Sequence, residues 1–232
     1  MTRVYHGSDH IIQHPQYLGG KKDNDYGNGF YTTEYEDRAR SWAGLNGNPE
    51  NSIVNVYDLQ LDMLNVLDLN EQGVLAWIAE VVANRGISEE NAAIVGERLV
   101  ELYKPDTTQA DIIKGYRADD SYTQVIESFL LNQINLYEVE RLFYKGSLGN
   151  QIFLKSEKAF EHIYWLESYP VVLTKEDKEA DMYARREVSK FLAERMKAIL
   201  LDGFQTPGIT ARYAINNKLM YQGDGVYEHS GI

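Results

Sequence analysis

Polar and apolar positions alternate in short runs over the first third of the chain and recur with a helical period through the middle. Arg3-Val4-Tyr5-His6-Gly7-Ser8 is rich in β-formers and closed by glycine, which predicts a first strand. Residues 9–28 hold Gly19, Gly20, Gly27 and Asn28 among Lys21, Lys22, Asp23 and Asp25. A polar, glycine-rich segment of that length predicts a long loop, and such loops in compact domains are often functional. Gly29-Phe30-Tyr31-Thr32-Thr33 predicts a second short strand. Thr33 with Glu36 three residues later predicts a capping box that opens a helix through Ala39, Trp42 and Ala43. Residues 52–61 are β-branched and apolar enough for a third strand.

The middle reads as helical. Val74, Leu75, Trp77, Ile78, Val81 and Val82 predict a strongly apolar helix ending near Arg85-Gly86. Ser88-Glu89-Glu90 opens another, carried by Ile94, Val95, Leu99 and Leu102 and stopped by Pro105. Strand character returns over 111–116, two short helices follow at 121–131 and 136–144, and a strand is expected at 151–154. A brief helix at 156–160 and a strand segment at 163–166 come next. Thr174 with Asp177 caps a long amphipathic helix to about residue 201, with Tyr183, Ala184, Val188, Phe191, Leu192 and Met196 on its apolar face. After Gly203 only scattered aromatics are evident. Strands separated by helices place the chain in the α+β class. With no internal repeat or linker, the simplest reading is one domain over 1–232, with a helical insertion at 70–110 and a long C-terminal helix at 174–201.

Composition narrows the function classes. Lys and Arg number 23 against 35 Asp and Glu, a formal charge of −12 over 232 residues, which disfavours broad electrostatic binding to nucleic acid or anionic lipid. The absence of cysteine excludes disulfide scaffolds, thiolate zinc sites and cysteine nucleophiles. No apolar run approaches the roughly 20 residues of a membrane span, and the first residues lack a secretory apolar stretch, so a cytoplasmic protein is expected.

Most single motifs have a plain structural explanation. His6, His10 and His14 are spaced by four, but Gly7 and Pro15 deny them a common helix, and no Glu follows the first His as a helical zinc motif requires; no metal site is expected. Asp119 and Asp120 suit either a Mg²⁺ pair or a helix cap with Arg117 as ion-pair partner, and both readings stay open. No Rossmann or phosphate-loop fingerprint is present, and Ser8 near His6 does not form a nucleophile elbow. A His ending strand one, Tyr31 on strand two and Gln151 opening a late strand can converge on one cleft, the usual construction of a small-molecule site.

Taken together, Tyr5-His6-Gly7-Ser8, Asp25-Tyr26-Gly27-Asn28-Gly29-Phe30-Tyr31-Thr32-Thr33 with Ala39 and Trp42-Ala43, Gly115-Tyr116-Arg117-Ala118-Asp119-Asp120, and the block from Gly146 through Gln151-Ile152-Phe153-Leu154 to Ser156 resemble the bacterial DUF3990 family. The resemblance runs from residue 3 to about 166. That family looks like a divergent branch of the ADP-ribosyltransferase fold, which implies a split pair of small β-sheets gripping NAD⁺. By position, the resemblance implies that His6 hydrogen-bonds the adenosine ribose, the Gly7 backbone holds the nicotinamide carboxamide, and Tyr31 stacks on the nicotinamide ring. Ser8, Gly29 and Phe30 would complete the dinucleotide site. Gln151 takes the third position, where the superfamily carries Glu, and offers an amide dipole in place of a full charge; Asp25 or Asp119 would assist. Lys21, Lys22, Arg38 and Arg40 flank the implied cleft and can meet a pyrophosphate.

The resemblance further implies a toxin of a toxin–antitoxin or conflict system, with a small neutralising partner and a macromolecular acceptor, protein slightly favoured over nucleic acid by the negative charge. Two rival expectations stand beside it: a nucleotide- or peptide-binding module on the same fold, and a metal-dependent nuclease using Asp119 and Asp120.

Overall fold

The computed structural model describes residues 1–46, 51–118, 120–145, 150–172 and 174–229. In chain order its elements are β1 (Thr2–Ser8), β2 (Phe30–Thr32), α1 (Glu36–Asn46), β3 (Ile53–Leu59), β4 (Val66–Asp68), α2 (Val74–Arg85), α3 (Glu90–Tyr103) and β5 (Ile112–Tyr116). There follow α4 (Asp120–Leu130), α5 (Leu136–Lys145), β6 (Asn150–Leu154), α6 (Glu157–Glu161), β7 (Ile163–Pro170), α7 (Lys175–Asp202), α8 (Ala211–Asn217), β8 (Leu219–Gly223) and β9 (Val226–His229). The mixture of small sheets and helices is α+β. The chain divides into two compact units, one from Met1–Asp68, Asp106–Arg117 and Leu148–Ala180, the other from Leu69–Pro105, Ala118–Ser147 and Asp181–Ile232.

Two sheets build the first unit. β1, β3 and β7 pair antiparallel in the order β1-β3-β7, with a bulge between Val56 and Tyr57. The second sheet runs β2-β6-β5-β4, antiparallel except for β4 beside β5. The sheets meet at one isolated bridge, where Tyr5 and Thr33 exchange backbone hydrogen bonds of 2.8 and 2.9 Å. Period-two alternation sends Val4 into a shared core with Phe30, Tyr57, Leu59, Ile112, Ile152 and Leu154. It sends Tyr5 and Gly7 to the opposite face, where α1 covers Val54, Val56 and Val171 through Ala39. α1 lies so close to β1 that a Cβ at Gly7 would sit 2.0 Å from the Ala39 carbonyl oxygen. Glycine is the one residue that this contact admits.

The second unit centres on α2, whose Leu75, Trp77 and Ile78 are buried with Leu99 of α3 and Val125, Ile126 and Phe129 of α4. The stretch after Gly203, which showed no pattern in sequence, forms α8 and a β8–β9 hairpin. Thr210 caps α8 by accepting from the Tyr213 N–H. Asp224 and Gly225 turn the hairpin with φ of 49° and 76°, the pair of positive values that a two-residue primed turn needs.

Other boundaries differ for local reasons. α1 begins at Glu36, and the Thr33 hydroxyl accepts from Tyr35 N–H while donating to the Asn150 carbonyl; it ties β2 to β6 instead of closing a capping box. Within Ser88-Glu89-Glu90, Glu89 caps α3 by accepting from Ala92 N–H. β7 extends to Pro170 because Glu167, Ser168 and Tyr169 continue the pairing with β3. Along α7, Val188 is buried whereas Tyr183 is exposed. Among the described residues, no helix is long and apolar enough to cross a membrane.

Candidate functional site

His6 projects from β1 onto the edge of β2. Its Nδ1 lies 2.6 Å from the Tyr31 carbonyl oxygen. A carbonyl only accepts, so Nδ1 carries the proton and Nε2 keeps a lone pair for a donor from outside. The imidazole also rests on the Phe30 ring, with centroids 4.4 Å apart. Burial pushes its pKa down to about 4, against the raising pull of the Tyr31 carbonyl and with a small further lowering from His10. The ring is therefore neutral near pH 7.

Tyr31 faces the other way. Successive residues of β2 alternate, so its phenol lies on the sheet face opposite Phe30 and the His6 ring. There it meets Phe153 at 4.7 Å, its cross-strand partner, and Tyr26 at 6.4 Å. The Tyr31 hydroxyl accepts from Tyr26 N–H at 3.0 Å and donates to the Gly27 carbonyl at 2.8 Å, which ties the end of the long loop to the tip of the phenol. Gln151, two residues before Phe153 on β6, shares this face. Its Nε2 donates to Asp25 Oδ2 at 2.8 Å and to the Tyr116 carbonyl at 3.3 Å. His6 thus stands on one face of the sheet and Tyr31 and Gln151 on the other; the three are connected through the Tyr31 backbone and residues 25–31.

The strands themselves complete the geometry. Continuing the antiparallel register beyond Tyr5–Thr33 would pair Gly7 with Tyr31, yet the bridge is isolated and β1 parts from β2 there. Because Tyr5 turns its N–H and C=O toward β2, alternation turns those of Gly7 to the same side. Gly29 is hemmed in as tightly as Gly7: a Cβ would lie 2.3 Å from the Leu154 carbonyl oxygen. Ser8 is turned inward, donating to the His10 carbonyl at 2.5 Å and accepting from Asn55 Nδ2 at 2.9 Å. Asn55, fully buried, accepts from Ile12 N–H and Ser168 as well, and so anchors the start of the loop. Buried Asn28 Oδ1 and Asn150 Oδ1 have no hydrogen-bond partner among the described residues.

Asp119 falls outside the described residues, and Asp120 is the first residue of α4. Arg117 stacks its guanidinium 5.0 Å over the Trp42 ring. Lys21 and Lys22 are exposed, and Arg38 Nε stands 3.5 Å from Asp37 Oδ2. No group of three or more His, Cys, Asp or Glu able to hold a metal occurs among the described residues. A cavity of about 430 Å³ in the second unit, lined by Leu75, Tyr103, Lys218, Tyr221 and Tyr227 among others, contains none of the expected residues. Sequence reasoning missed Asn55 as an anchor; its one signal was a lone amide inside an apolar strand.

A model of the family described as "Protein of unknown function (DUF3990)" matches residues 2–165, and the chain belongs to that family. No curated protein matches the chain, and no solved structure matches it.

Proposed function

We propose that this DUF3990 chain is an NAD⁺-dependent mono-ADP-ribosyltransferase, transferring ADP-ribose to a macromolecular acceptor as the toxin of a bacterial toxin–antitoxin or conflict system. The observation that carries this reading is the parting of β1 from β2 beyond the Tyr5–Thr33 bridge, with the Gly7 backbone turned into the gap beside a His6 ring held by the Tyr31 carbonyl. A strand edge that offers one N–H and one C=O side by side complements a primary carboxamide, the group nicotinamide presents. His6 Nε2 accepts from a ribose hydroxyl. The Tyr31 ring supplies an aromatic surface for nicotinamide, worth ~0.5–1.5 kcal/mol beyond area burial. Asn28 and Asn150 offer acceptors for its remaining donors.

NAD⁺, as substrate, brings an activated glycosidic bond. The C1′–N bond breaks with its electron pair passing to the nicotinamide nitrogen; a lone pair of the acceptor forms the new bond at C1′, and the acceptor's proton is released. The ribose passes through an oxocarbenium-like transition state, which the protein must bind better than it binds NAD⁺. The overall charge of −12 favours a protein acceptor over nucleic acid and a small neutralising partner completes the system.

Equilibrium dialysis of NAD⁺ against the wild type and against His6→Ala and Tyr31→Ala tests the site. Both variants are expected to lose binding while keeping their circular-dichroism spectra; unchanged affinity in both discards the site. Labelled NAD⁺ in a bacterial lysate, read by mass spectrometry, identifies the acceptor. Binding without modified acceptor or released nicotinamide assigns the same gap to recognition instead of transfer.

A further inference from the structure

Gln151 is an amide where the proposed chemistry calls for negative charge, and its surroundings explain why. Its NH₂ group has two hydrogens and meets two acceptors, the Asp25 carboxylate at 2.8 Å and the Tyr116 carbonyl at 3.3 Å. The Tyr116 carbonyl cannot donate, and an ionised Asp25 cannot either, so the side chain at 151 must. A glutamate there would set two carboxylates and a carbonyl against one another in a site where Gln151 and Asp25 are both almost wholly buried. Further bonds fix the carboxylate's neighbours. Tyr26 donates its hydroxyl to the same Tyr116 carbonyl at 2.6 Å and its backbone N–H to the Tyr31 hydroxyl at 3.0 Å. Asp25 is therefore clamped on one side by an amide from β6 and linked through the next residue to the phenol of β2.

From this geometry we infer that Gln151 is a positioning residue and that Asp25, held by it, is the anion of the site. The inference rests on the transferase reading: as the C1′–N bond breaks, positive charge grows on the ribose, and the fixed Asp25 carboxylate lowers its energy through the field of a low-dielectric interior. Asp25 forms no bond and takes no proton. The amide at 151 keeps the carboxylate oriented, so a glutamine is required there and is no weakened glutamate.

Three variants test this: Gln151→Glu, Asp25→Asn and the exchanged pair Asp25→Asn/Gln151→Glu, which swaps donor and anion. Each is measured for Tm, for NAD⁺ affinity by dialysis and for nicotinamide release at saturating NAD⁺. Gln151→Glu is expected to lower Tm by roughly 10 °C without raising the release rate. The exchanged pair regains part of that Tm, because the amide introduced at position 25 can donate to the carboxylate introduced at position 151, while the Tyr116 carbonyl still loses the donor it had from Gln151. Asp25→Asn keeps NAD⁺ affinity within about threefold and slows release on the order of 10²-fold, a split that a merely structural role would not produce. A Gln151→Glu protein as stable as the wild type, or faster, overturns the clamp. Wild-type release from Asp25→Asn overturns the anion. Should the wild type fail to bind NAD⁺ at all, the transferase reading falls and the anion's role with it, whereas the Tm comparison still decides whether Gln151 holds Asp25.

Discussion

Acidification should weaken the protein through one imidazole, by an amount that its burial sets. Unfolded, His6 titrates near 6.5; folded, burial has lowered it to about 4. Between those values the unfolded chain takes up a proton that the native protein refuses, so stability rises with pH across this window. The contribution is fully present above pH 6.5 and is lost as pH falls toward 4. A gap of about 2.5 pKa units corresponds to about 3 kcal/mol at 1.36 kcal/mol per unit, most of it gone by pH 4.5. The perturbation is His6→Gln, whose amide can still donate to the Tyr31 carbonyl but does not titrate. Urea unfolding of both proteins at pH 7.5 and pH 4.5 isolates the effect, because every other titrating group is common to the two. The wild type should lose about 2–3 kcal/mol more than the variant on acidification. Parallel losses refute the argument, as does an imidazole resonance, identified by its disappearance in His6→Gln, that titrates near 6.5.

Two further outcomes follow from close contacts. Gly7→Ala drives a Cβ to within 2.0 Å of the Ala39 carbonyl oxygen, so α1 must shift, with an expected loss of about 1–3 kcal/mol in urea unfolding and weakened NAD⁺ binding; an unaltered unfolding midpoint would refute the contact. At Asp111, burial alone would raise the carboxyl pKa, but the bonds from Ser156 and Asn65 and the Lys158 ammonium outweigh it and hold the group below its usual value. Asp111→Asn should therefore lose about 1.5–3 kcal/mol near pH 7. The difference from wild type shrinks as pH falls below about 4, because the wild type then surrenders the same charge; a constant difference down to pH 2 would show that the charge plays no part.

How far the sequence could carry these conclusions depends on the range of each interaction. β1, β2, β3, α2 and α7 follow from local period and punctuation, and they lie where those signals put them. β4 is three residues long and exists through its pairing with β5, more than forty residues on; no local period marks it. The β8–β9 hairpin was legible in principle, since Asp224-Gly225 between Tyr221 and Tyr227 is a strong turn signal, but the surrounding glycines obscured the alternation. Within the candidate site, His6, Tyr31 and Gln151 stood out as polar or aromatic residues on short strands. The partnership of Gln151 with Asp25 spans 126 residues and depends on the loop folding back over β6, which no spacing rule reaches.

The bond from His6 to the Tyr31 carbonyl also acts as a doorstop. One rung beyond Tyr5–Thr33, the ladder's next step would send the Gly7 N–H to that same oxygen, and the two sheets would zip shut over the place where a ligand is proposed to lie. The imidazole already donates to that oxygen at 2.6 Å, and a second donor arriving from Gly7 would have to crowd the ring. A family member that exchanged this histidine for an aliphatic residue would thus forfeit the opening itself as well as a contact, and its strands would be free to close into an ordinary continuous sheet.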